Sequence, residues 1–184
     1  ERLAQIVASP DRSAADRTND LRRPPVDLMT FVAARPGATV LDVSTGGGYT
    51  AELLARIVGA AGLVWAQSRP RPLDAAPARP AQPEGGSAAP AAAAPPPRST
   101  ADVLADRGAR MQAAGVAAAP IAFAALPFDD PVPPDAVGKL DLVTLMFNYH
   151  DFGWMGVDRA QMNRAIFAAL RPGGHYVIAD HAGR

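Results

Sequence analysis

Two short stretches of this sequence hold residues able to do chemistry. The first, Val40-Leu41-Asp42-Val43-Ser44-Thr45-Gly46-Gly47-Gly48-Tyr49-Thr50, runs an apolar segment into an acid and then into consecutive glycines. Glycines let backbone come close to a ligand, and a helix starting there offers unpaired N–H groups to polar or anionic atoms. Such a run is a nucleotide-site signature, but a broad one. Gly46, Gly48 and Ala51 also fit the G-x-G-x-x-A spacing of dinucleotide folds, and a bare strand-to-helix turn needs glycines too. Asp42 narrows the choice, because a dinucleotide fold usually runs apolar residues straight into its first glycine.

The second stretch is Asn148-Tyr149-His150-Asp151-Phe152. Imidazole titrates near neutral pH, and a neighbouring carboxylate, Asp151 or Asp180, would fix its tautomer, so His150 is a candidate general base. The alternative is a polar turn in which His150 and Asp151 cap local backbone. His181 follows Asp180, yet no His-x-x-x-His or similar ligand spacing occurs, and no metal site is expected. His175 reads as structural, at the opposite end of its strand. Phe152, Trp154 and Met155 either wall a substrate pocket or belong to the core.

These residues need a frame, and the hydrophobic pattern supplies one. Short apolar runs at 39–43, 63–66, 121–125, 140–147 and 175–179 alternate with helical patterns at 25–34, from about 50 to Gly59, at 100–114 and at 158–170. Pro172-Gly173-Gly174 is expected to end the last helix. Alternation of this kind predicts an α/β fold, a Rossmann-like three-layer sandwich around a mostly parallel sheet. Ligands of such sheets bind outside the carboxyl ends of the strands, where strand order reverses. Residues from about 70 to 98 are rich in proline and alanine and read as a disordered surface insert in a single domain.

Composition sets the outer limits. The 184 residues carry 18 acidic and 18 basic side chains, a formal net charge of zero, so no nucleic-acid partner is expected. Without cysteine there is no disulfide, thiolate nucleophile or sulfur-ligated metal. No apolar run is long enough to span a bilayer, and no membrane association is expected. The compartment is cytoplasmic only by default, since a targeting segment preceding Glu1 could have been removed.

Further landmarks lie in order along the chain: Leu126-Pro127-Phe128, Leu140-Asp141-Leu142-Val143, and Leu170-Arg171-Pro172-Gly173-Gly174. With Asp42 and its glycine turn, they make the sequence resemble class I S-adenosylmethionine (SAM) dependent methyltransferases. Asn148 to Phe152 and Ala179-Asp180-His181 resemble, more narrowly, a bacterial group of predicted methyltransferases. The resemblance implies SAM as cofactor and a small-molecule acceptor. It implies that Asp42, Ser44, Gly46 and Gly48 line the methionine end of SAM, that Gln67 ends the second strand where an acid normally takes the ribose hydroxyls, and that Asn148 lies beside the cofactor. Ser44 stands for the usual first glycine, and Ala122, Ala124 and Ala125 stand where an acid often meets adenine. These departures leave open a non-catalytic Rossmann-like module with a degenerate site. An NAD(P)-dependent oxidoreductase, with Arg69 and Arg71 on a 2′-phosphate, is the other rival. The family fold continues past the fifth strand with a helix and an antiparallel pair of strands, so the resemblance implies truncation. An exposed fifth-strand edge would then favour self-association.

Overall fold

The computed structural model describes residues 1–70 and 98–181. The expected proline- and alanine-rich insert at about 70–98 lies almost wholly outside the described residues. Five strands, β1 (Thr39–Val43), β2 (Leu63–Ser68), β3 (Ile121–Ala125), β4 (Leu140–Met146) and β5 (Leu170–Ala179), form one parallel sheet in the order β3-β2-β1-β4-β5. Chain order therefore reverses at the β1/β4 boundary, and a crevice opens there at the carboxyl ends.

The period-2 alternation of strand side chains divides the core into two layers. Val40 of β1 and Leu142 of β4 point into one, with Val64 and Ala66 of β2 and the helices α1 (Arg2–Ala8), α3 (Pro25–Val32), α4 (Tyr49–Val58) and α5 (Thr100–Ala113). Leu41, Val43, Val143 and Leu145 point into the other, against Phe128, α6 (Asp151–Trp154) and α7 (Arg159–Ala169). Asp42 and Thr144 pair in register and share the face of Val40 and Leu142, so a carboxylate is carried into the α4 side of the core. Helix α4 is buried along its whole length, wedged between sheet, α1 and α5.

Helix starts follow local chemistry. Ser13 caps the short polar helix α2 (Ala14–Asp20), Ser99 caps α5, and the Asp158 carboxylate accepts from the Gln161 amide at 2.9 Å to open α7. The observed sheet corrects one expectation. Helix α7 stops at Ala169 rather than at the Pro-Gly-Gly turn, and Leu170 already pairs with Leu140. A register irregularity then absorbs Pro172 to Gly174 before His175 pairs with Leu142. The glycines are needed there: Gly173 has φ +81°, and a Cβ on Gly174 would sit 2.7 Å from the Leu140 carbonyl. Strand β2 runs two residues past the expected 63–66, and β4 stops at Met146 because Phe147 takes a left-handed φ of 67°. Helices α1 and α2 were not expected from the apolar pattern, although Leu3, Ile6 and Val7 pack one face of α1 on the core.

Strand β5 is an edge of the sheet, with Ile178 exposed. No described helix is long and apolar enough to cross a membrane.

Candidate functional site

The β1–α4 loop is built from alternating left-handed residues: Ser44 (φ 57°), Gly46 (φ 54°) and Gly48 (φ 76°). For serine this conformation costs about 1–2 kcal/mol, and two contacts offset it. The Ser44 amide donates to Gln67 Oε1 at 2.9 Å, and Ser44 Oγ accepts from Asn148 Nδ2 at 2.5 Å. Gln67 is fully buried; its Nε2 donates to the Leu126 carbonyl at 2.6 Å, and its own carbonyl accepts from the Thr45 amide at 2.9 Å. Its side-chain amide is thus spent tying the loop to β2 and to the segment after β3, and Gln67 does not line the cavity. Fully buried and absent from the cavity wall, Gln67 presents no exposed atom there for the ribose contact expected of it.

The glycines divide the work. A Cβ on Gly48 would lie 2.6 Å from Leu104 Cδ2 and 3.0 Å from Arg107 Cδ, so Gly48 lets α5 pack against the start of α4 and does not line the cavity. Gly46 and Gly47 line the cavity and have no neighbouring atom closer than 4.0 Å to an added Cβ.

That cavity, of about 380 Å³, occupies the β1/β4 crevice, a size suited to a small ligand. Asp42 lines it while only 2% exposed, and its carboxylate accepts from Thr45 Oγ1 at 2.7 Å and Thr144 Oγ1 at 2.8 Å. Burial pushes its pKa up from 3.8 to about 6 against those two hydrogen bonds. Asn148 closes the same wall, and its Oδ1 is buried without a hydrogen-bond partner among the described residues. A buried orphan acceptor is costly.

The opposite wall comes from the N-terminal segment, through Asn19 and Arg23. An ion network fastens it. Glu52 of α4, almost fully buried, accepts from Arg56 at 2.8 Å, Arg107 at 2.5 Å and Arg110 at 2.6 Å. Arg107 also binds Asp16 of α2 at 2.7 Å and donates from Nε to the Gly47 carbonyl at 2.7 Å. Arg56 reaches Asp11 at 2.5 Å and holds that carboxyl down at about 2. Tyr49 at the head of α4 donates to Asp20 at 2.6 Å, and Asp20 binds Arg12 at 2.7 Å. Burial, and then Asp20, push the Tyr49 hydroxyl well above its ordinary pKa.

His150 and Asp151 follow Asn148 but lie outside the cavity, both exposed. The Nδ1 of His150 is 2.6 Å from Asp180 Oδ1, its backbone N–H donates to Asp180 Oδ2 at 3.0 Å, and its Nε2 is 3.3 Å from Asp151. Asp180 therefore holds the imidazole by ring and backbone together, and its carboxyl lies below the usual range: its burial works upward, but hydrogen bonds from His181 and His150 prevail. Each ring nitrogen of His150 thus faces a carboxylate oxygen. His181 lies edge-on to His150, ring centres 5.7 Å apart, and no group of three or more potential metal ligands occurs among the described residues. His175 sits at the far end of β5, its Nε2 3.2 Å from the Val32 carbonyl. Phe152 is core, stacked on Phe128 at 4.6 Å, while Trp154 is 94% exposed; neither lines the cavity.

Asn19, Arg23, Tyr49 and Arg107 were missed from sequence. Only tertiary structure brings three of them to the loop. One signal was present for the network: Glu52 and Arg56, four apart in a helix otherwise largely apolar.

No protein-family model matches this sequence, and no curated protein matches it. Solved structures do. A SAM-dependent methyltransferase from Aquifex aeolicus aligns with a TM-score of 0.54 at 15% identity, over 84% of this chain and 62% of that one. An arsenic(III) SAM methyltransferase from Chlamydomonas reinhardtii aligns with a TM-score of 0.55 at 17% identity, over 80% and 40%. TrmN from Thermus thermophilus aligns with a TM-score of 0.52 at 18% identity, over 96% and 41%. The chain thus spans less than two thirds of each of these relatives. Its five-stranded parallel sheet and flanking helices are the α/β fold they share.

Proposed function

From a fold shared with SAM-dependent methyltransferases, we infer that this chain binds SAM in the β1/β4 crevice and serves methyl transfer to a small-molecule acceptor. One observation carries the reading: the crevice joins an open glycine loop to a buried acid, Asp42, at the strand-order reversal. These groups fit an ammonium-bearing ligand. Asp42 supplies negative charge, and Gly46 and Gly47 leave room for close backbone approach. When bound, SAM supplies a methyl group on a positively charged sulfur. Gln67 acts here as a clamp on the loop rather than as a ribose ligand. Catalysis rests mainly on holding the acceptor atom in line, so a base matters only where that atom must lose a proton.

His150 is the residue assigned to that proton, with Asp180 orienting its ring. His150→Gln is expected to leave the affinity for S-adenosylhomocysteine (SAH) within about twofold while lowering turnover roughly 10²- to 10⁴-fold. The readout is labelled methyl transfer to an acceptor found by screening small nucleophiles. Unchanged turnover would remove His150 from the reaction.

Asp42 adds a pH dependence. Its pKa is raised in the fold, so between 3.8 and about 6 the folded chain holds a proton that the unfolded chain has released. Stability therefore falls as pH rises through that window, by about 3 kcal/mol. A ligand ammonium group beside Asp42 favours the ionised carboxylate, so binding releases a proton. SAH affinity should rise roughly tenfold from pH 5 to pH 7, with proton release near pH 6 visible in calorimetry across buffers of different ionisation enthalpy. Flat affinity would detach Asp42 from the ligand.

The function itself is tested by thermal unfolding with SAH. At a hundred times Kd the ligand should stabilise the fold by about 2.7 kcal/mol and raise the midpoint by roughly 5–10 °C. No shift at millimolar SAH would contradict the reading.

A further inference from the structure

Two arginines line the crevice, and they differ in what they hold. The guanidinium of Arg107 is fully engaged, bound to Asp16, to Glu52 and to the Gly47 carbonyl. Arg23, half-buried on the opposite wall, has no carboxylate partner and no side-chain hydrogen bond among the described residues. Its one described side-chain interaction is with the ring of Phe147, 4.5 Å from guanidinium to ring centre. A guanidinium against an aromatic face keeps its N–H edge free for a planar anion. Phe147 is itself fixed, in the left-handed region and donating its amide to the Ala179 carbonyl at 2.7 Å. Arg23 is thus held by a rigid ring and lines the cavity that Asp42 and Asn148 also line. Among the described residues lining the cavity, Arg23 is the one unpaired cation, and it stands alongside the acid Asp42.

We propose that Arg23 is the anion-recognition residue of this cavity and takes a carboxylate of the bound small molecule. This deepens the methyltransferase reading and rests on it for the identity of the molecule. Two sources offer that carboxylate: the amino-acid end of the cofactor, or the methyl acceptor. A charge-assisted, bidentate contact of this kind carries roughly 10- to 100-fold in affinity.

The experiment compares wild type with Arg23→Gln and Arg23→Lys, using three probes: SAH, 5′-methylthioadenosine, which lacks the amino-acid end, and benzoate. Affinities come from calorimetry and NMR titration, after thermal unfolding shows each variant folded. If the cofactor is the source, Arg23→Gln loses 10- to 100-fold for SAH and less than twofold for methylthioadenosine, with Arg23→Lys between. If the acceptor is the source, SAH affinity is unchanged, benzoate binds the SAH-saturated wild type, and Arg23→Gln abolishes that binding. Either result supports the assignment and identifies the source. Equal weakening of SAH and methylthioadenosine, or no change for SAH and benzoate alike, overturns it and leaves Arg23 a packing residue on Phe147. A wild type that binds no SAH fails the methyltransferase reading instead, and benzoate on the free protein then decides Arg23 by itself.

Discussion

Replacing Glu52 with glutamine should destabilise the protein by about 3–5 kcal/mol, because a buried carboxylate is removed from cations that stay behind. Three arginines from two helices converge on Glu52, which is 1% exposed, and two of them, Arg56 and Arg107, are themselves largely buried. Glutamine keeps the volume and one carbonyl, so the loss is of charge rather than of packing. For a domain of this size the thermal midpoint should fall by roughly 10 °C, as read by circular dichroism. The damage should also reach the cavity, since Arg107 joins Glu52 to Asp16 and to the glycine loop. A midpoint within a degree of wild type would mean that the network contributes no net stability.

Gly46→Val should abolish SAH binding, with a loss above roughly 100-fold, while the chain remains folded. Among the described residues, and leaving aside its two chain neighbours, the nearest atom to an added Cβ at Gly46 is the Ser44 carbonyl, at 4.0 Å, so the branched side chain meets no core and fills the loop's face on the crevice. Valine at φ +54° adds a left-handed strain of about 1–2 kcal/mol, which a stable domain tolerates. Gly48→Ala is the contrasting control. Its methyl collides with Leu104 and Arg107, so it should lower the melting temperature at once. Retained SAH affinity in folded Gly46→Val would place the ligand elsewhere.

The sheet was legible because its strands are short apolar runs between turn residues. Expected and observed bounds coincide for β1 and β3. The start of β5 was not legible: Pro172-Gly173-Gly174 reads as a helix stop, whereas here those glycines pack a bulge against Leu140. At the site, Asp42, Ser44, Gly46 and Asn148 do line one crevice. Gln67 is buried off that crevice for a reason no local pattern shows. Its amide is held by Ser44 and Leu126, residues 23 and 59 positions away. Arg23 and Asn19 were invisible for the same kind of reason, since an N-terminal segment with little apolar periodicity becomes a wall only after the ion network docks it.

The central claim is that the β1/β4 crevice is a SAM site, and it is tested most directly by calorimetric titration of the wild-type chain with SAH and NADP in parallel at pH 7. Saturable one-to-one binding of SAH with none of NADP is the expected result. Folded protein that binds neither ligand, or NADP alone, would contradict it.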